Sequence, residues 1–291
     1  MSVLSDNEPP VRSGALSYFY KKLSPTARII IFYRASIAHS KNSNLLSIGR
    51  SFIELQSVDS TNNYAMAQVH AGLASHGMMF FAHEQWAGKG QRGKSWMSTP
   101  GENIIVSTVL EPVNLALIQQ FALSATVALA CHDLFSRYAG AEDATIKWPN
   151  DLYWRDRKAG GILIENSFKG DQWAFAVVGM GININQTRFP DTARNPVSLK
   201  QITGRPFDAV ELAHELGACL EVRYQQLIKG SPLLEEYNQR LYRRNQSVRL
   251  KKDQAVFETV VKGVTPTGEL ITQDSMERRF GFGEVEWLIG P

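Results

Sequence analysis

The sequence predicts an α+β domain with a small β-barrel appended at its C-terminal end. Three observations carry this. Strand-sized apolar runs and helical stretches follow one another from Phe52 to about residue 243 with no internal repeat. The longest helical stretch, Leu115 to Tyr138, is apolar on more than one face. From Ser247 onward the chain changes to short alternating strands. A chain of 291 residues, 44% hydrophobic and 20% charged, can bury one sizeable core and carry a smaller unit beside it.

Each element has its own reason. Ile29 to Tyr33 is a strand-sized apolar run, and no run approaches the roughly 18 residues of a membrane span. Phe52 to Val58 alternates like a strand, and Asp59-Ser60-Thr61 offers capping oxygens for a helix through about His70. Met78 to Ala82 reads as a buried strand feeding a glycine-rich loop. After the Thr99-Pro100-Gly101-Glu102 turn, Asn103 to Leu110 reads as another strand. Ala144 to Trp148 is a short strand ending in the turn signal Pro149-Asn150-Asp151. Gly161 to Phe168 and Trp173 to Val178 form a hairpin across Lys169-Gly170-Asp171. Helices are predicted at 208–229 and 232–243, and the tail strands include Gly268 to Leu270 and Val285 to Leu288. The resulting division is an N-terminal extension at 1–50, a main domain at 51–243 and a C-terminal barrel at 244–291.

The net charge of +3 is uneven: residues 1–50 carry seven Lys/Arg against Asp6 and Glu8, leaving 24 basic and 26 acidic residues beyond them. The body therefore lacks the basic field of a nucleic-acid binder. The head is basic, Ser-rich and interrupted by Pro9-Pro10 and Pro25, and is expected to be poorly ordered and to carry no catalytic part. Cys131 and Cys219 sit in apolar helical stretches, give no disulfide framework and suit a reducing cytoplasm.

Gly88-Lys89-Gly90-Gln91-Arg92-Gly93 fits G-x-G-x-x-G. A dinucleotide fingerprint needs its glycines to open a helix, but Lys94-Ser95-Trp96, a Pro-Gly turn and a strand follow instead. The kinase reading lacks its downstream motifs. What remains is a backbone that can approach a ligand closely and point N–H groups at an anion, with Lys89, Arg92 and Lys94 adding charge and Trp96 an apolar wall. A solvated basic loop would have the same composition. Other segments favour a site: Lys147-Trp148-Pro149-Asn150-Asp151 at a strand end, Lys158-Ala159-Gly160-Gly161 before a strand, and Gly179-Met180-Gly181-Ile182-Asn183, which joins glycines to an amide side chain.

Asp59-Ser60-Thr61-Asn62, the Gln85–Trp96 loop and these three segments occur in the order found in biotin–protein ligases, which the chain resembles over roughly 52–290. The resemblance implies a mixed sheet with helices on one side and an SH3-like C-terminal barrel. It implies that biotin and MgATP give biotinyl-5′-AMP, whose acyl group passes to a lysine of a biotin carboxyl carrier protein. Ser60, Thr61, Asn62 and Gln85 would meet the ureido end. The Gly88-Lys89-Gly90-Gln91 backbone, with Gly160 and Gly161, would line the rest of the biotin site. Lys89, Arg92, Lys94, Trp96, Asn150, Lys158 and Asn183 would serve ATP. Lys158 and Arg92 are the candidate catalytic residues, joined by Asp151, which either caps a turn or orients the acceptor lysine.

Joining two anions needs fixed cations where charge develops, which agrees with Lys158 and the loop. No H-x-x-x-H spacing marks a zinc site, no dedicated cage for Mg²⁺ is required, and no covalent nucleophile is evident. The loop departs from the family pattern G-R-G-R-x-G-R-x-W at Lys89, Gln91 and Lys94, which weakens bidentate anion contacts. No membrane or nucleic-acid partner is expected; a homodimer is compatible. The alternatives are a lipoate–protein ligase, disfavoured by the polar Ser60-Thr61-Asn62 and Gln85, and a ligase doubling as repressor. The latter needs a winged helix-turn-helix, for which the Pro-interrupted head shows no pattern.

Overall fold

The computed structural model describes residues 29–30, 48–113, 115–193 and 195–289. Apart from Ile29 and Ile30, the expected disorder of the head falls outside the described residues up to residue 47. The elements in order are β1 Ile29–Ile30, β2 Phe52–Val58, α1 Thr61–His70, β3 Met79–Gln85, β4 Asn103–Leu110, α2 Gln120–Ala139, β5 Ala144–Lys147 and β6 Asp151–Trp154. There follow β7 Arg157–Lys169, β8 Gln172–Asn183, α3 Leu199–Thr203, α4 Ala209–Ile228 and α5 Leu233–Gln239. The chain closes with β9 Ser247–Lys252, β10 Ala255–Val264, β11 Leu270–Gln273, β12 Glu277–Phe280 and β13 Glu286–Trp287.

The larger sheet runs β1-β2-β3-β4-β8-β7-β6-β5, with β2 and β3 parallel and the other neighbours antiparallel. The smaller sheet, β12-β11-β10-β9-β13, is wholly antiparallel. This is the expected α+β architecture with a C-terminal β unit.

Strand alternation decides where the core lies. In β8, Ala176, Val178, Met180 and Ile182 join the main core with Leu129 of α2 and Leu216 of α4. Val177 points the other way, onto Ala65 and Val69 of α1, beside Phe80 and Val109. The expected one-sided helical layer thus describes α2, α4 and α5. Helix α1 covers the opposite face, because Ala65 and Val69 give it an apolar stripe of its own. Asp208 caps α4, accepting from the N–H groups of Val210 and Glu211. Three details differ from expectation. Asp151 opens a strand instead of closing a turn, since it pairs with Lys147 on one side and Gly161 on the other. The β7–β8 hairpin extends well beyond its expected limits, and α3 is an added short helix capped by Ser198.

The smaller sheet is fastened to the larger unit at Trp148. Its indole N–H donates to the Gly268 carbonyl at 2.9 Å, and its ring stacks on Phe282 with centroids 5.5 Å apart.

Candidate active site

The glycine loop opens no α-helix. A single 3₁₀ turn spans Gln91–Gly93, with Arg92 in the left-handed region at φ 56°. The loop is a tight hairpin: Trp96 N–H donates to the Gly88 carbonyl at 2.9 Å and Gly90 N–H to the Lys94 carbonyl at 2.6 Å. A Cβ on Gly88 would lie 2.3 Å from the Trp96 carbonyl oxygen, so only glycine fits there. Because Gly90 N–H is spent inside the hairpin, it is not a free anion donor in this arrangement.

Beside the loop, the N-terminus of α1 meets β3 and β4. Gln85 Oε1 accepts from the Thr61 N–H at 2.7 Å and from its hydroxyl at 3.1 Å. Ser107 of β4 lies 2.7 Å from the Thr61 hydroxyl oxygen and donates to Asn62 Oδ1 at 2.6 Å. Asn62 Nδ2 donates to Glu165 Oε2 at 2.8 Å and to the Leu163 carbonyl at 3.3 Å. Ser60, Thr61, Asn62 and Ser107 are all buried. Thr61 and Asn62 spend all their side-chain donors within this network, while the Gln85 amide hydrogens and one Asn62 Oδ1 lone pair stay available.

Across the cleft, Lys158 Nζ pairs with Asp151 Oδ1 at 2.6 Å. A register shift between Leu152 and Tyr153 sets two residues of β7 opposite one of β6. Lys158 thereby shares a face with Gly161, whose Cβ would lie 3.5 Å from the Lys158 ammonium. Trp96 lies against the glycines of β7 and β8, with the Lys158 ammonium 6.0 Å from its ring centre. A Cβ on Gly181 would meet that indole at 2.6 Å, and one on Gly179 would meet Asn62 Oδ1 at 2.4 Å.

Among the expected site residues, Ser60, Thr61, Asn62, Gln85, Lys89, Gly90, Gln91, Trp96, Asn150, Lys158 and Gly161 line one cleft. Others stand behind it. Asn183 donates to the Lys158 and Val197 carbonyls, so it supports the Lys158 backbone from below. Gly160 packs against the Gly181 carbonyl, and Gly88 sits buried at the base of the loop. Arg92 turns to the C-terminal sheet, where its guanidinium donates to the Gly283 carbonyl at 3.1 Å. It lines a second, adjoining cleft of about 590 Å³ with Gln91, Asn150, Phe121 and Phe282. Lys94 is exposed and lines neither cleft. Sequence reasoning passed over Ser107, Ile105, Leu163 and the role of Glu165. Their signal was parity: Ser107 interrupts the apolar run of β4, and Glu165 is a charge on the same strand face as Gly161 and Leu163. Cys131 and Cys219 are buried in the helical layer, and burial pushes both thiols up, so neither is a thiolate nucleophile.

The glycine-lined face of the sheet thus joins an amide-rich pocket, a lysine and a basic glycine loop in one cleft. The Biotin/lipoate A/B protein ligase family matches residues 54–183. The bifunctional ligase/repressor BirA of Escherichia coli is 31% identical over 246 residues, covering 81% of this chain and 74% of that protein. The biotin--[acetyl-CoA-carboxylase] ligase of Paracoccus denitrificans is 30% identical, covering 77% of this chain and 95% of that one. In fold, the chain is similar to the Aquifex aeolicus biotin protein ligase in complex with biotin and ATP, with a TM-score of 0.67 at 23% identity over 82% of this chain and 99% of the other. The chain belongs to the biotin–protein ligase family.

Proposed function

We propose that this protein activates biotin with ATP and transfers it to a lysine of a biotin carboxyl carrier protein, such as that of acetyl-CoA carboxylase. The observation that carries the reading is the network of Thr61, Asn62, Gln85 and Ser107 at one end of the cleft. A cyclic urea offers one carbonyl acceptor and two N–H donors. This end of the cleft offers amide hydrogens on Gln85 and an open lone pair on Asn62, with the buried Ser60 beside them. A lipoyl dithiolane has neither kind of polar group, and would leave these buried groups unpaired at a cost.

The other end suits adenylation. The carboxylate oxygen attacks the α-phosphorus, pyrophosphate leaves, and negative charge gathers between the two reactants. Lys158, held at 2.6 Å by Asp151, supplies a fixed cation there. Asn183 keeps the Lys158 backbone in place, and Arg92 is offered to phosphate from the adjoining cleft. Mg²⁺ enters as part of the MgATP substrate, offsetting the charge of the leaving pyrophosphate. In the second step the carrier amine attacks the acyl carbonyl carbon, the bond to the phosphate oxygen breaks so that AMP leaves with its electron pair, and the proton lost by the amine passes to solvent. Asp151 is placed to guide that amine once Lys158 turns to the phosphate.

We further assign catalysis to residues 51–243 and a supporting role to 244–291, whose Gly283 and Phe282 reach the loop and Trp148. Among the described residues no helix is long and apolar enough to cross a membrane. The test is to incubate the protein with biotin, MgATP and an isolated carrier domain. One biotinyl group on one carrier lysine is the expected mass change; an unmodified carrier rejects the reading.

A further inference from the structure

Glu165 bridges two parts of the site, an amide at the start of α1 and a lysine of the glycine hairpin. One carboxylate oxygen accepts from Asn62 Nδ2 at 2.8 Å, and the other lies 3.7 Å from the Lys89 ammonium. Asn62 belongs to the N-terminus of α1, Lys89 to the glycine hairpin, and Glu165 to the middle of β7, opposite Val177. Asn62 is otherwise held by Ser107 on its carbonyl oxygen, by Leu163 on its amide and by Gly179 beneath it, with one lone pair left open. The Lys89 side chain has no such support; it is 44% exposed, and Glu165 is the partner that turns it back toward the sheet.

We propose that Glu165 is a positioning residue that latches the glycine loop to the recognition pocket. This rests on the biotin-ligase reading of the same site. The physics sets the size and the direction. Asn62 is buried and fixes Glu165; the charge so fixed then holds an exposed ammonium at the loop. An ion pair this exposed is weak and salt-sensitive, as suits a latch that must release product.

Glu165→Gln keeps an acceptor for Asn62 and removes the charge, while Lys89→Gln removes the other partner. Each is expected to raise the KM for biotin in adenylate formation by about two- to fivefold, and Glu165→Gln should keep kcat within about twofold of wild type. Each should also speed cleavage after Arg92 by an arginine-specific protease. The double variant should be no worse than the worse single one, and Lys89→Glu with Glu165→Lys should recover part of the loss. Rising salt should bring wild type toward the variants, which a purely structural role would not do. Unchanged KM and cleavage in Lys89→Gln overturn the proposal, and so do effects that multiply in the double variant. If Glu165→Gln fails to fold, Lys89→Gln, on an exposed side chain, carries the test. A wild type that forms no adenylate from biotin rejects the functional reading instead, while loop cleavage still reports the latch.

Discussion

The two faces of the large sheet are made by the same strands and do opposite work. On the helical face Val178, Met180 and Ile182 of β8 disappear under α2 and α4. On the other face Gly179 and Gly181 of that strand leave room for Asn62 and Trp96. β4 repeats the pattern, with Ile104 and Val106 in the core and Ser107 in the polar network. One face is filled to exclude everything; the other is hollowed to admit one ligand. The lesson is that stability and chemistry are separable by strand parity, residue by residue, so substitutions one position apart should fail in different ways.

The largest separation is expected from Lys158→Ala on the site face. Removing a preorganised donor typically lowers a rate by roughly 10²–10³. Single-turnover adenylation should fall by that much while biotin binding and Tm stay close to wild type. Near-normal adenylation would remove Lys158 from its assigned role.

On the core face, Leu129→Ala empties a fully buried site in α2. Loss of the side chain and the cavity left behind should cost about 2–5 kcal/mol of unfolding free energy in a denaturant titration. The KM for biotin should not move. A large change in KM with stability intact would show that the two faces are not independent.

The core face also carries a charge cluster, in which Arg223 joins Asp133 of α2 and Glu236 of α5. The Arg223 guanidinium, by hydrogen bonding, holds the Glu236 carboxyl below its ordinary value of 4.5, against the opposing effect of burial. A lowered folded value means this stability is present above the ordinary value and is lost as pH falls through the folded one. Thermal melts from about pH 5 down to about pH 3 should therefore show Tm falling, with a shallower slope in Arg223→Met. Equal slopes in the two proteins would assign the acid sensitivity elsewhere.

How much of this was legible in the sequence follows the same division. The core face announced itself through periodicity, which located α2, α4, β4 and the β7–β8 hairpin. The site face announced itself only where several unusual residues cluster, as at Ser60-Thr61-Asn62 and Gly88–Gly93. Isolated members were missed: Ser107 is one hydroxyl in an apolar strand, and Glu165 one acid on a long hairpin. Strand β6 was hidden because Pro149-Asn150-Asp151 carries turn residues, yet Asp151 is paired on both sides. The two-sided placement of helices also escaped notice, since no periodicity tells which face of a sheet a helix will cover.

The smallest effect concerns the loop. Gln91 lines both clefts and is uncharged. Gln91→Arg places a guanidinium near the phosphate, where a charge-assisted hydrogen bond is roughly twice as strong as a neutral one. Free biotinyl-AMP trapped by hydroxylamine should fall modestly, with carrier labelling preserved. Equal or greater leakage would leave retention to Arg92.

What the hollow face admits decides the chemistry. The most direct measurement offers the protein MgATP with equal concentrations of biotin and lipoate and identifies the acyl-adenylate by mass. Biotinyl-AMP alone is the predicted product, because only a ureido ring satisfies Gln85 and Asn62 together. Lipoyl-AMP in comparable amount, or no adenylate from either acid, would contradict it.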